Sequence, residues 1–325
     1  SLLTAYPRQH LLSNGVLFIA PCHRQSVAIR HKEDPPAPWL PRGDTGAYNN
    51  YPTSVLMPNT TPANLDTVLR MGGAYINSSP PTYFSRRLTQ KCKASAPAAG
   101  CWPTGHTWSG QGSCAAINQM IEKRADCDAV ILPDGSVFVV GGEDNTPGGK
   151  GFLLSAELFK GGVWSPDAFH ESPHGWHGTA LLLPSAKVLV AGGNWRTRDY
   201  EIYVPLYLAS GMPRPAITTA PTEIKYGFEY DVFYNLDPSA AVTKVVLMRP
   251  GSVTHAFCYD QRYVQLELSD LPPVEGSIRF KAPWSYPGKA NPPAGAVRAP
   301  LGYYMLFLVT GDGVPSVAHW VKLVP

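Results

Sequence analysis

The chain has 325 residues, with 30 glycines, 33 prolines and a formal net charge of +3. That length accommodates two domains, or one large β domain with an appendage. The small charge, without any run of Lys and Arg, argues against nucleic acid or an anionic membrane as partner. Glycine and proline at this density interrupt helices and favour turns, and short runs of Val, Leu, Phe and Tyr predict an all-β protein with long loops.

Taken in order, the chain first shows apolar runs within 8–30, separated by Asn14-Gly15, a strong hairpin signal because a type I′ turn needs positive φ twice. Residues 51–75 follow with Tyr51-Pro-Thr-Ser-Val-Leu-Met-Pro58, a polar insert, and a second run closed by Gly72-Gly73. The same sentence recurs at 128–142, where Pro133-Asp134-Gly135 turns and Gly141-Gly142 closes, and at 174–195, where Pro184 turns and Gly192-Gly193 closes. The turn prolines are 75 and 51 residues apart. Short strands repeating at about 50 residues, four to a unit, are the signature of kelch-type propeller blades. The wider spacing predicts a cysteine-rich insertion at about 84–126. A β-sandwich with coincidental hairpins is the alternative architecture.

Gly211-Met-Pro-Arg-Pro215 reads as a stiff hinge. Beyond it, strands predicted at 222–234, 244–248, 263–268, 277–280, 303–309 and 316–323 suggest an immunoglobulin-like sandwich without the Cys…Trp…Cys hallmark. The domains expected are therefore 1–212, propeller blades, and 213–325, the sandwich. The longest apolar run, Tyr303 to Val309, is far too short to span a bilayer as a helix.

Of six cysteines, Cys92, Cys101, Cys114 and Cys127 fall in one window without any C-x-x-C pair, which favours two local disulfides over zinc. Asn59-Thr-Thr61 and Asn77-Ser-Ser79 are glycosylation acceptors, and together with the cysteines they point to a secreted protein. Ser1 begins neither a methionine-initiated chain nor a signal peptide, so an N-terminal portion is expected to precede it.

At this point motifs become legible. Asp128-Ala-Val-Ile-Leu-Pro-Asp-Gly, Trp176-His-Gly-Thr-Ala-Leu-Leu-Leu-Pro, Arg249-Pro-Gly-Ser-Val-Thr-His-Ala-Phe-Cys-Tyr-Asp-Gln-Arg262, Pro300-Leu-Gly-Tyr-Tyr-Met-Leu-Phe and Gly313-Val-Pro-Ser-Val-Ala together resemble the copper radical oxidases, of the galactose oxidase and glyoxal oxidase kinds. The resemblance spans essentially the whole chain and is most specific around Thr254-His255. It implies a seven-bladed propeller, about four blades of it here, and a C-terminal domain that threads one loop toward the propeller axis. It implies a mononuclear copper held by two imidazoles, an axial tyrosine and a tyrosine crosslinked to a cysteine. The implied reaction oxidises an aldehyde or primary alcohol and passes two electrons to O2, giving H2O2.

Residue by residue, the resemblance puts His177 and His255 on the imidazole ligands, and imidazole suits Cu(II). Trp176 stands where the family has its axial tyrosine, and an indole offers a donor but no lone pair for a metal. The radical tyrosine and its cysteine are expected upstream of Ser1, since the motifs around Cys22 and Cys127 do not match. A separate N-terminal propeller fragment or partner chain is therefore the expected partner, alongside a small aldehyde, alcohol or glycan. The competing expectation is a catalytically silent extracellular component of a cell wall, matrix or surface filament. Among the remaining candidates, His174 could pair with His177, His106 reads as a surface-loop residue, Asp260 and Arg262 as braces of the threading loop, and Cys258 as a free thiol or the partner of Cys22. Trp102, Trp108, Trp195, Tyr200 and Tyr203 could line a glycan-facing surface, although blade packing explains them more simply.

Overall fold

In the computed structural model, the described residues are 8–12, 52–58, 67–77, 118–193, 199–271, 274, 276–283 and 299–325, with strands at 16–20, 25–30, 40–44, 82–85, 89–93 and 114–116. Nearly all of the ordered structure is strand, as the composition predicts. The first sheet is a meander of β1 (Arg8–Leu11), β2 (Val16–Ala20), β3 (Gln25–Arg30) and β4 (Leu40–Asp44). The second contains β5 (Thr53–Leu56) and β6 (Thr67–Met71), with a side hairpin of β7 (Ala74–Asn77) and β8 (Thr82–Ser85), then β9 (Thr89–Lys93) and β10 (Cys114–Ala116). The third contains β11 (Asp128–Ile131) and β12 (Val137–Val140). A small hairpin of β13 (Glu143–Asp144) and β14 (Gly151–Phe152) precedes its outer strands, β15 (Ser155–Lys160) and β16 (Val163–Phe169). The fourth is three-stranded: β17 (Gly178–Leu182), β18 (Val188–Gly192) and β19 (Tyr200–Tyr203).

The first strands of these sheets, β1, β5, β11 and β17, touch one another in that sequence, which is the arrangement of blades around an axis. One expectation changes: part of the stretch read as an insertion at 84–126 supplies β9 and β10, the outer strands of the second blade. β1 and β2 pair antiparallel as a hairpin would, while Asn14-Gly15 itself lies outside the described residues.

After β19 a four-residue helix, α1 (Leu206–Ala209), precedes the hinge; no apolar periodicity announces so short a turn. The hinge is pinned by Arg214, which donates from Nε to Pro315 O at 2.8 Å and from Nη2 to Ser185 O at 2.8 Å and Ser316 O at 2.9 Å. The C-terminal domain contains β20 (Ala216–Thr219), β21 (Glu223–Lys225), β22 (Glu229–Asn235), β23 (Val242–Arg249), a hairpin of β24 (Ser252–Thr254) and β25 (Phe257–Tyr259), then β26 (Arg262–Leu268), β27 (Ser277–Lys281), β28 (Gly302–Thr310) and β29 (His319–Val324). Eight of these, all but the hairpin, curl into one sheet in the order β20-β22-β27-β26-β23-β28-β29-β21. The strand expected at 222–234 is two, because the chain turns at Gly227 (φ +76°).

The period-2 geometry of β23 and β28 decides how the halves join. Val245, Leu247, Tyr304, Leu306 and Leu308 face the sandwich core with Ile224, Val264 and Phe280. The alternate residues Val246, Met248, Met305, Phe307 and Val309 face the propeller, sharing a core with Val55, Leu69, Ala129 and Ile131. Both faces of these strands are buried, so their sequences read as continuous apolar runs rather than alternation. The run from Tyr303 to Val309 is therefore a doubly covered strand. Among the described residues, no helix is long and apolar enough to cross a membrane.

Candidate functional site

The hairpin of β24 and β25 is the element by which the C-terminal domain reaches the propeller. Thr254 pairs with Phe257, so His255 and Ala256 are the two turn residues, and both have positive φ (52° and 54°), as a type I′ turn requires. The hairpin touches β1, β5, β11 and β17, the innermost strand of each blade. Three side chains fix it there. Arg8, almost fully buried, donates from Nη2 to His255 O at 3.0 Å and from Nε to Pro52 O at 2.9 Å, with its guanidinium over the Phe257 ring. Gln261 accepts from Ile131 N at 3.0 Å and donates to Ala129 O at 2.8 Å, so one amide completes the edge of β11. Arg262 donates to Leu11 O. On the β1 side His10 meets Phe257 edge to face and bonds Ser54 Oγ at 2.8 Å; burial, then Arg262, push its pKa down to about 3.

Asp260 and Arg262 do brace this segment, but not through each other: Asp260 pairs with Arg249 at 2.7 Å. Cys258 is a buried free thiol, and burial raises its pKa, which leaves it unreactive. Cys127 is likewise free and buried, its pKa pushed up to about 12 by burial. This overturns the scheme that put Cys127 in a disulfide: the residue is a small apolar filler in the shared core. The backbone register sets Cys92 opposite Cys114, while Cys101 and Cys22 lie outside the described residues. Asn59, His106, Trp102, Trp108 and Trp195 also lie outside them, and Asn77 ends β7. Asp134-Gly135 is the expected turn, with Gly135 at φ +89° and Asp134 accepting from Ser136. Tyr203 stacks on Phe138 at 4.0 Å, joining the fourth blade to the third, and Tyr200 is exposed.

The turn sets His255 against His177. Their rings are 4.9 Å apart, centroid to centroid, nearly perpendicular, and His177 itself has φ +67°. Trp176 is 47 % exposed and lies over His177 at 4.2 Å. His255 Nδ1 is engaged by Thr254 Oγ1 at 2.7 Å. What burial it has, then neighbouring His177 and Arg8, lower the His255 pKa below the ordinary value and favour the neutral, metal-ligating form. Beneath them lie two buried carboxyls. A Cβ on Gly178 would come within 2.8 Å of Asp128 Oδ2, and Asp126 sits two residues away. Burial raises both to about 7, Arg8 opposing and the neighbouring carboxylates adding. Sequence reading missed Arg8, Gln261 and the Asp pair. Gln261 alone carried a signal, as the centre of the Asp260-Gln-Arg262 tail.

His174 does not join His177. It is 2 % exposed and faces His170 and Glu201 instead. It is held by Gly141 (φ +68°), where a Cβ would come within 2.0 Å of His174 O; Gly142 N donates to that same carbonyl at 2.6 Å. Only glycine allows this approach. Arg124, fully buried, binds Gly141 O at 2.8 Å and pairs with Glu157 at 2.8 Å.

Residues 214–323 match the galactose oxidase-like early set domain. An aldehyde oxidase GLOX of Vitis pseudoreticulata is 30 % identical, over 98 % of this chain and 62 % of its own length. The chain is a relative of the glyoxal and galactose oxidases. A galactose oxidase of Gibberella zeae is 31 % identical over 64 % of this chain and 30 % of its own length. A fungal alcohol oxidase of the AA5 family, solved in complex with copper, superposes with a TM-score of 0.76 at 22 % identity, over 98 % of this chain and 63 % of that one. The chain thus spans less than two thirds of the length of these relatives. The shared fold is a β-propeller carrying a β-sandwich, as the repeats predict.

Proposed function

We propose that this protein is an extracellular oxidase of the copper radical type, in which His177 and His255 hold the metal. The observation that carries this is the convergence of two imidazoles from separate domains, through a hairpin that enters the blades to deliver one of them. Two imidazole nitrogen donors fit Cu(II), and the lowered pKa of His255 favours its neutral, ligating form. Copper, when bound, supplies one of the two one-electron acceptors needed to oxidise an aldehyde or primary alcohol while O2 is reduced to H2O2. Around it, Arg8 and Gln261 hold the turn in place, and the exposed Trp176 ring covers one side of His177. Asp128, its pKa raised to about 7 by burial and its Oδ2 close to Gly178, is a buried group able to hold a proton beside the His177 strand entry.

The donor set is short of the family's: Trp176 supplies no axial oxygen, and no motif in these 325 residues matches the crosslinked tyrosine. Oxidase activity then rests on a further polypeptide segment that supplies them and the remaining blades. Secretion follows from the two sequons and the cysteine-rich stretch. Trp176 also favours a second reading, a silent scaffold of wall or matrix. Metal analysis of the protein isolated from its source, followed by an H2O2 assay with aldehydes, separates the two. One copper, lost in the His177→Ala, His255→Ala double variant, with aldehyde-dependent peroxide, is the outcome expected. Copper-free, inactive protein overturns it in favour of the scaffold.

A further inference from the structure

A second set of metal-type donors lies where the third blade passes into the fourth. His170 follows β16, His174 precedes β17, and Glu201 sits in β19; one ligand atom from each lies within 4.8 Å of the others. The hydrogen bonds of the two rings fix their tautomers. His170 Nδ1 donates to Ser172 O at 2.7 Å and His174 Nδ1 donates to Gly192 O at 2.6 Å. In the neutral form each ring therefore presents Nε2 as a lone pair. The backbone carbonyl as outer partner of an imidazole is the arrangement that orients histidine ligands in metal sites.

Those lone pairs have no good protein partner. His170 is 8 % exposed, and its Nε2 is buried without a hydrogen bond. His174 Nε2 faces Glu201 Oε1 at 3.3 Å, longer than the roughly 2.7–2.9 Å of a charge-assisted bond. A lone pair aimed at a carboxylate is repulsive unless a proton or a metal cation stands between them, and either satisfies this contact. Glu201 is itself held, accepting from Ser172 N at 2.9 Å and Glu171 N at 3.1 Å, and against burial these donors keep its carboxyl below the ordinary carboxylate range. A cavity of about 190 Å³ opens beside the cluster, lined by His170, Glu201, Phe169, Ile202 and Val204.

We infer that His170, His174 and Glu201 bind one divalent first-row cation of the Zn2+ class, clamping the third blade to the fourth, with a remaining coordination position toward that cavity. Two imidazoles and one carboxylate are a zinc-type donor set. Donors about 3.3 Å apart suit tetrahedral bonds of about 2.0–2.1 Å, so the side chains close inward by up to about 1.5 Å on binding. The site is independent of the His177–His255 pair, and its existence does not rest on the oxidase reading.

The test is titration of the chelator-stripped full chain with Zn2+ by calorimetry and with Co2+ by visible absorption. One equivalent, with the intense ligand-field bands of four-coordinate Co2+, is expected. Glu201→Gln and His170→Ala should each weaken Zn2+ at least tenfold, while His177→Ala and His255→Ala leave it unchanged. Should His170→Ala fail to fold, Glu201→Gln, which keeps the side-chain shape, gives the same reading. Absence of Zn2+ binding by the parent chain, affinity unmoved by Glu201→Gln, or loss of the equivalent in the His177 and His255 variants would overturn the proposal.

Discussion

Two histidine clusters come within three residues of each other in the chain, at His174 and His177, and are built by opposite means. His174, with His170 and Glu201, belongs to the propeller alone: its donors come from the link between two blades and from the third strand of the second of them, and His174 is buried. His177 faces outward and meets His255, which arrives from another domain through a turn with two left-handed residues. A local cluster depends on the blades packing; a composite one depends on two domains docking. Spacing of histidines in sequence therefore says little about which of them share a site, because a turn with φ +67° at His177 sends neighbours to different sides.

Docking is where the two should separate most sharply. Phe307→Ala empties a fully buried position in the core that joins the halves, and about 3–5 kcal/mol of stability should be lost in chemical denaturation. Copper binding at His177 and His255 should weaken with it, whereas Zn2+ binding at His170 and His174 persists.

The next effect is a pH dependence from the two carboxyls near the composite cluster. Asp126 and Asp128 have folded pKa values raised to about 7, so the folded state keeps protons that the unfolded chain has already released. Their contribution to stability should fall as pH rises from about 4 to about 7, by on the order of a few kcal/mol, against an opposing gain from buried His10, whose pKa is lowered to about 3. Asp126→Asn and Asp128→Asn should flatten that slope in denaturation curves taken across the range. A slope unchanged in both variants would place the proton uptake elsewhere.

Gly193→Ala probes the local cluster. Its φ is +117°, and a Cβ would come within 2.7 Å of His174 Cα. A loss of about 1–3 kcal/mol is expected, with weaker Zn2+ binding and little change at copper. The smallest effect belongs to the hairpin turn. Ala256→Gly relieves a left-handed alanine and should stabilise the protein by about 0.5–1 kcal/mol in thermal melts, with both metal sites intact.

Much of the architecture is legible before any coordinates. The repeated proline turns and Gly-Gly closures mark blades because they encode backbone needs, a tight turn and a close approach, that few other residues meet. The motifs around His177 and His255 likewise point to one site, and the structure brings those two rings together. What the sequence could not convey are the features set by packing between distant segments. The uninterrupted apolar character of β23 and β28 does not say that alternate residues serve two different cores, since burial on both faces erases the alternation that would show it. Cys127 looks like a disulfide partner by spacing, yet only the fold shows it sealed into apolar surroundings. Nor could spacing show that His174 turns away from His177 toward a glutamate 27 residues later, or that Arg8 holds a carbonyl 247 residues away. Residue type and local pattern determined the strands, the turns and which histidines to suspect; tertiary packing alone decided which groups are buried together, and so which of them share a site.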